Sequence, residues 1–204
     1  WQNELKDLPV GLFSHPDAQM HWQTMMPQIR GATPKGWGGR LADIMTQANN
    51  NGSVGLNISV AGNNTLQTGN ISLPYSTTPD GAILLNQYDG NNGDPLMRNA
   101  INSILQNTYP NMFQKTHSST KQSAIQTGEI FGTAMNSQTL AYNSPFTENV
   151  IDNNQIAKQL AGIVKIMKAR TPLGMDRQIF FVERGGWDHH NELLNAQGGT
   201  NGAY

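Results

Sequence analysis

In "SVGLNISVAG" the apolar residues Val54, Leu56, Ile58 and Val60 alternate with small or polar ones, the period of a strand with one buried face. Near the other end, Ile179, Phe180, Phe181 and Val182 follow one another without a polar break, which predicts a central strand of a parallel sheet, buried on both faces. Between these strands the period changes to that of helices. Asp94 and Pro95 form a cap and first turn ahead of Leu96, Met97, Ala100, Ile101, Ile104 and Leu105, which predicts a helix buried along that stripe and ended by Pro110. A long polar helix is expected from Asn111 to Gln138. Another runs from Asn153 to Ala169, with Ile156, Leu160, Ile163, Val164 and Met167 on the stripe facing the sheet and basic residues in its last turn. Earlier, Leu41, Ile44 and Met45 predict a helix from Gly39 to Ala48. "LPVGLFSHPD" predicts a short strand and loop, with Leu12 and Phe13 as its buried part.

Helix followed by strand, as in 153–182, is the αβ half of a parallel layer, so the fold class is α/β, a partly parallel sheet between helical layers. Its 204 residues suffice for one core. Only 13% of them are charged, and Asn, Gln, Ser and Thr supply most of the polarity. With 13 basic and 14 acidic residues and no basic block, no nucleic-acid partner is expected. No run approaches 18 apolar residues, so no membrane span is expected, and the N-terminus lacks the pattern of a signal peptide. The protein is then cytoplasmic, or its leader has been removed. Cysteine is absent, so any metal must be held by His, Asp, Glu or backbone.

Candidate chemistry follows the second strand. Gly185 and Gly186 permit a sharp turn or close approach to a ligand, and Asp188, His189 and His190 come directly after Trp187. Ligands of open α/β sheets gather at the carboxyl ends of strands. Two readings stand for this stretch: a polar turn in which Asp188 caps a short helix over "NELLNAQ", or half of a metal site formed by Asp188 and His190. An Asp–His pair suits zinc, manganese or iron better than calcium. "SHPDAQMHW" offers His15, Asp17 and His21, and is accounted for more simply by a turn leading into a helix with Trp22 packed inward; His15 remains a candidate for ligand or substrate contact. "GWGGR" lacks the lysine of a P-loop and the spacing of a dinucleotide fingerprint, so it reads as a tight lead-in to a helix, with Arg40 a candidate anion contact. There is no G-x-S-x-G elbow.

"FSHPDAQMHWQT", "GWGGRLAD", "ISVAGNNTLQTG" with "LPYS" after it, and "RQIFFVERGGWDHH" occur in an order and spacing that resembles the domain of unknown function (DUF) 1501 family of exported bacterial proteins. That resemblance implies an alkaline phosphatase-like, sulfatase-like fold, with metal ligands on loops at the strand ends. Residues 1–197 would be the central part of a single such domain, incomplete because the family's first strand and its later acidic motifs are not in the chain. Residues 198–204 would be a flexible tail. The family form has Phe, Asp, Thr and His after the paired glycines, so Asp188 and His190 match its ligand positions while Trp187 and His189 depart from it. The implied function is part of an exported, periplasmic or extracellular, metal-dependent hydrolase of small-molecule phosphate or sulfate esters, inactive without the missing segments. A non-catalytic surface binding or assembly protein on the same scaffold is the alternative. Loss of the first strand would leave an open sheet edge, so association with other chains or with the missing segments is expected.

Overall fold

A computed structural model describes residues 8–28, 34–46, 54–85, 88, 93–141 and 147–185. It is a mixed α/β structure with a small three-stranded parallel sheet and, among the described residues, six helices.

The chain turns into α1 (His15–Thr24), where the Ser14 hydroxyl caps the Asp17 amide at 3.4 Å. No strand forms here. Residues 10–13 are a turn, and Phe13 has φ +70° and is 94% exposed, because a left-handed turn carries its ring outward. Leu12 and Trp22 are also exposed, which corrects the expectation that all three are buried. Helix α2 (Trp37–Met45) starts two residues before the predicted Gly39.

Strand β1 (Asn57–Ser59) is the centre of the sheet, between β2 (Tyr75–Ser76) and β3 (Ile179–Phe181). Both pairings are parallel, with Ile58 opposite Tyr75 on one side and Phe180 on the other. The predicted roles of the two strands are thus exchanged. β3 is parallel as expected, but among the described residues it is an edge strand and only half-buried. β1, expected to be half-buried, is buried on both faces. Its apolar face carries Ile58, packed with Val54 and Val60 in the main core; its polar face carries Asn57 and Ser59, buried completely.

Helix α3 (Pro95–Gln106) begins as predicted, with the Asp94 carboxylate accepting from the Leu96 amide at 2.9 Å and Pro95 in the first turn. Its predicted buried stripe is not buried; no residue of α3 is. Helix α4 (Met112–Asn136) is capped by the Asn111 side chain, which accepts from the amides of Phe113 and Gln114. Its second half enters the core through Phe131, Ala134 and Met135. After α5 (Glu148–Asp152), helix α6 (Gln155–Lys168) is capped by Asn154 and adds Ile163 and Ile166. Burial of Ile58, Phe131, Met135 and Ile166, each fully enclosed, contributes about 1.5–3 kcal/mol per side chain. The Tyr75 ring packs on Phe131 with centroids 4.7 Å apart, and burial pushes its phenol up to about 12.

The buried arc of α6 is rotated from the predicted one. Gln159, Gly162, Ile163 and Ile166 face inward, whereas Leu160 (49%), Val164 and Met167 are exposed. Two features set that phase. Gly162 allows the helix to approach Pro79, where an added Cβ would lie 2.8 Å from the Pro79 Cα, and Gln159 has a buried hydrogen-bonding task.

The polar face of β1 is covered by the loop 64–69, and α2 lies on that loop. Gly36 and Gly39 donate their amides to Thr68 O (2.9 Å) and Leu66 O (2.8 Å). At Gly39 the two backbones are so close that a Cβ would overlap the peptide joining Thr68 to Gly69. The sheet therefore has α4 and α6 on its apolar face and the 64–69 loop with α2 on its polar face.

Candidate functional site

Parallel pairing aims the carboxyl ends of all three strands at one edge of the sheet. Above that edge is a cavity of about 300 Å³, formed where β1 leaves through Val60 and Ala61, where the chain after β2 passes Pro79, and where β3 leaves through Glu183 toward Gly185. Gln155, Lys158 and Gln159 of α6 complete its lining. These three residues stand at i, i+3 and i+4, one face of a helical turn.

Each of them ties the helix to a strand exit. The Gln159 side chain grips the backbone of Glu183 twice, with Nε2 donating to the carbonyl at 2.9 Å and Oε1 accepting from the amide at 3.0 Å. Gln155 Oε1 accepts from the Arg184 guanidinium at 3.0 Å. Lys158 Nζ donates to Asp80 Oδ2 at 3.0 Å, and this bond and charge raise the lysine above its ordinary range. The edge is thus held by specific polar contacts as well as by the packing of Val60 in the core and of Phe180 and Val182 against it. Gln159 escaped the sequence reading, although it left a signal: it is in phase with Ile163 and Ile166, so a polar residue stood on an otherwise apolar arc.

A second polar cluster lies behind β1. Gln67 is fully buried, and its Nε2 donates to Ile58 O (3.1 Å) and Ile179 O (3.0 Å), so one amide bridges β1 and β3. Asn64 Nδ2 donates to Gln67 Oε1 at 3.0 Å, and Asn57 Nδ2 donates to Gln67 O at 2.8 Å. The buried Asn57 Oδ1 has no partner among the described residues. On the outer side of the same loop, Asp43 of α2 accepts from the amides of Asn70 (2.6 Å), Ile71 (3.1 Å) and Ser72 (2.8 Å) and from the Ser72 hydroxyl. Three successive amides and a hydroxyl converge on one carboxylate, which holds its pKa far below the usual carboxylate range.

Of the residues singled out in the sequence, Asp188, His189 and His190 lie outside the described residues. His15 is the first residue of α1 and is exposed; it does not line the cavity. Arg40 is in the first turn of α2, where its guanidinium donates to Lys35 O (2.7 Å) and Thr24 O (2.9 Å), joining the end of α1 to the start of α2. Neither residue is brought to the strand ends. Among the described residues, no group of three or more His, Asp or Glu is placed to hold a metal ion, and no helix is long and apolar enough to cross a membrane. No protein-family model, curated protein or solved structure matches the chain. The cavity and its α6 tethers are accordingly what the geometry offers as a site.

Proposed function

We propose that the chain is the central part of an exported, metal-dependent hydrolase of phosphate or sulfate esters, on an alkaline phosphatase-like scaffold of the DUF 1501 kind. The observation that carries this reading is the cavity at the carboxyl edge of a parallel sheet, with Gly185 in its lining. Asp188 is three residues further along the chain, at most about 11 Å of extended backbone. Asp188 and His190 are the donors that would hold a divalent zinc, manganese or iron ion, with further ligands from outside the described residues, since stable sites use three or four. Such an ion, when bound, lowers the pKa of a nucleophile and neutralises the non-bridging oxygens of the ester. The α6 tethers would keep the β3 exit fixed, so that ligands further along the chain would start from one fixed point beside the cavity.

The nucleophile belongs, in this reading, to a segment outside the 204 residues, so the test uses the longer protein. Asp188→Ala and His190→Ala should each lower bound metal, measured by elemental analysis, together with hydrolysis of a panel of aryl phosphates and sulfates. His189→Ala should affect both much less. Unchanged metal content in both ligand variants would sink the hydrolase reading and leave a non-catalytic binding or assembly protein on the same scaffold.

A further inference from the structure

The α6 face of the cavity at the strand ends offers a ligand hydrogen-bond donors, because its side-chain acceptors are already spent. Both amide atoms of Gln159 are taken by the Glu183 backbone, and the Gln155 oxygen is taken by Arg184. What α6 still presents there is the NH2 group of Gln155 and the ammonium of Lys158, three residues apart and so on one side of the helix. Lys158 is the one cation among the described residues of the lining. Glu183 brings a carboxylate to the same lining and Arg184 a guanidinium beside it, so the exit of β3 adds no net charge.

Asp80 engages that ammonium already. It stands on the turn where Thr78 and Gly81 exchange backbone hydrogen bonds, and its Oδ2 accepts from Lys158 Nζ at 3.0 Å. The close approach of Gly162 to Pro79 holds this turn against α6, so the lysine meets an anionic oxygen at a fixed place. Yet the pair is solvated, with the lysine side chain 38% exposed and the aspartate 74%, and an ion pair so exposed contributes little. Another anionic oxygen can take the place of Asp80 at small cost. An ammonium also has three N–H groups, of which this bond uses one.

We propose that Lys158, with the Gln155 amide beside it, is an oxyanion subsite of the cavity, binding an anionic oxygen of a phosphate or sulfate group that displaces Asp80 from the ammonium. That the group belongs to an ester substrate rests on the hydrolase reading above; binding of the free anion needs no hydrolysis. Asp80 is then a competitor of the ligand, so substitutions of the two partners should act with opposite signs.

Calorimetric titration of the longer protein with inorganic phosphate and, separately, inorganic sulfate, at ionic strength held constant with sodium chloride, tests this. Saturable binding of either anion is expected, and the tighter of the two names the ester. Lys158→Gln should weaken it at least about 10-fold, the loss of a charge-assisted hydrogen bond, whereas Lys158→Arg should keep most of it. Asp80→Asn should tighten it by about 2- to 5-fold, the release of an exposed ion pair. A folding defect weakens binding, so this tightening separates an anion subsite from a salt bridge that only supports the fold. Metal content by elemental analysis should be equal in all four proteins. No saturable binding by the wild type, Lys158→Gln equal to wild type, Asp80→Asn no tighter than wild type, or a loss in Lys158→Gln that follows a loss of metal each overturns the subsite. If Asp188→Ala and His190→Ala leave metal unchanged while anion binding still depends on Lys158, the subsite stands and the hydrolase reading falls. If they lose metal and hydrolysis while Lys158→Gln binds anions like the wild type, the hydrolase reading stands and the subsite falls.

Discussion

Replacing Gly39 by alanine puts the seam between α2 and the 64–69 loop to a quantitative test. In an ordinary helix this change stabilises by up to about 1 kcal/mol. Here the new methyl group would coincide with the Thr68–Gly69 peptide, backbone atoms that cannot rotate away. Restoring normal contact at about 3.5 Å requires the two segments to separate by more than about 1 Å. Overpacking of that kind costs about 1–3 kcal/mol. The separation also stretches the amide bonds from Gly36 to Thr68 and from Gly39 to Leu66, at about 1 kcal/mol for each bond lost. After the helix gain is subtracted, a net loss of about 2–4 kcal/mol is expected, a large share of the 5–15 kcal/mol typical of a domain. Urea unfolding should show the midpoint lowered by on the order of 1–2 M at an unchanged slope. Gly128→Ala is the control. Its Cβ would meet only the Leu84 side chain at 3.4 Å and the Ile83 carbonyl at 3.7 Å, so stability should be unchanged or raised by up to about 1 kcal/mol. Equal midpoints for wild type and Gly39→Ala would refute the close approach of the two backbones.

Three more substitutions probe the polar elements. Gln67→Leu removes the amide that bridges Ile58 O and Ile179 O, and should cost about 1–3 kcal/mol in the same urea assay; a neutral result would mean that β3 is held without it. Asp43 has a depressed folded pKa, so its contribution is present above the ordinary carboxylate value near 4 and is lost as pH falls from there toward the folded value. The stability gap between wild type and Asp43→Asn should therefore be constant from pH 7 to about 5 and narrow below about 4; a gap independent of pH would show that the charge is not what the amides recognise. Tyr75 is raised to about 12, so stability present below pH 10 should decline as pH rises toward 12. In a phenolate absorbance titration, one of the five tyrosines should ionise late, and Tyr75→Phe should remove that late phase.

Local signals were enough for several elements. The caps at Asp94, Asn111 and Asn154 act on amides two or three residues away, so the starts of α3, α4 and α6 were legible in the sequence or fell within two residues of it. The alternation around Ile58 likewise identified β1, and the apolar run at 179–182 identified a parallel strand. Which surface each element buries was decided by tertiary structure. α6 has an apolar arc wider than its neighbours can cover, and distant partners, the Glu183 backbone for Gln159 and Pro79 for Gly162, selected its phase. Hydropathy ranks a glutamine as a surface residue, yet Gln67 and Gln159 are buried because backbone groups far along the chain satisfy their amides. Strand order followed the same logic. The apolar run of β3 is half-buried at an edge among the described residues, while polar Asn57 is enclosed at the centre, where the 64–69 loop supplies a hydrogen bond that no local pattern records. The candidate site divides likewise: the glycine pair after β3 was visible as a motif, whereas the cavity exists only because three strand ends and one turn of α6 meet. Composition and spacing determine what a residue can bond to, and the fold determines what is within reach.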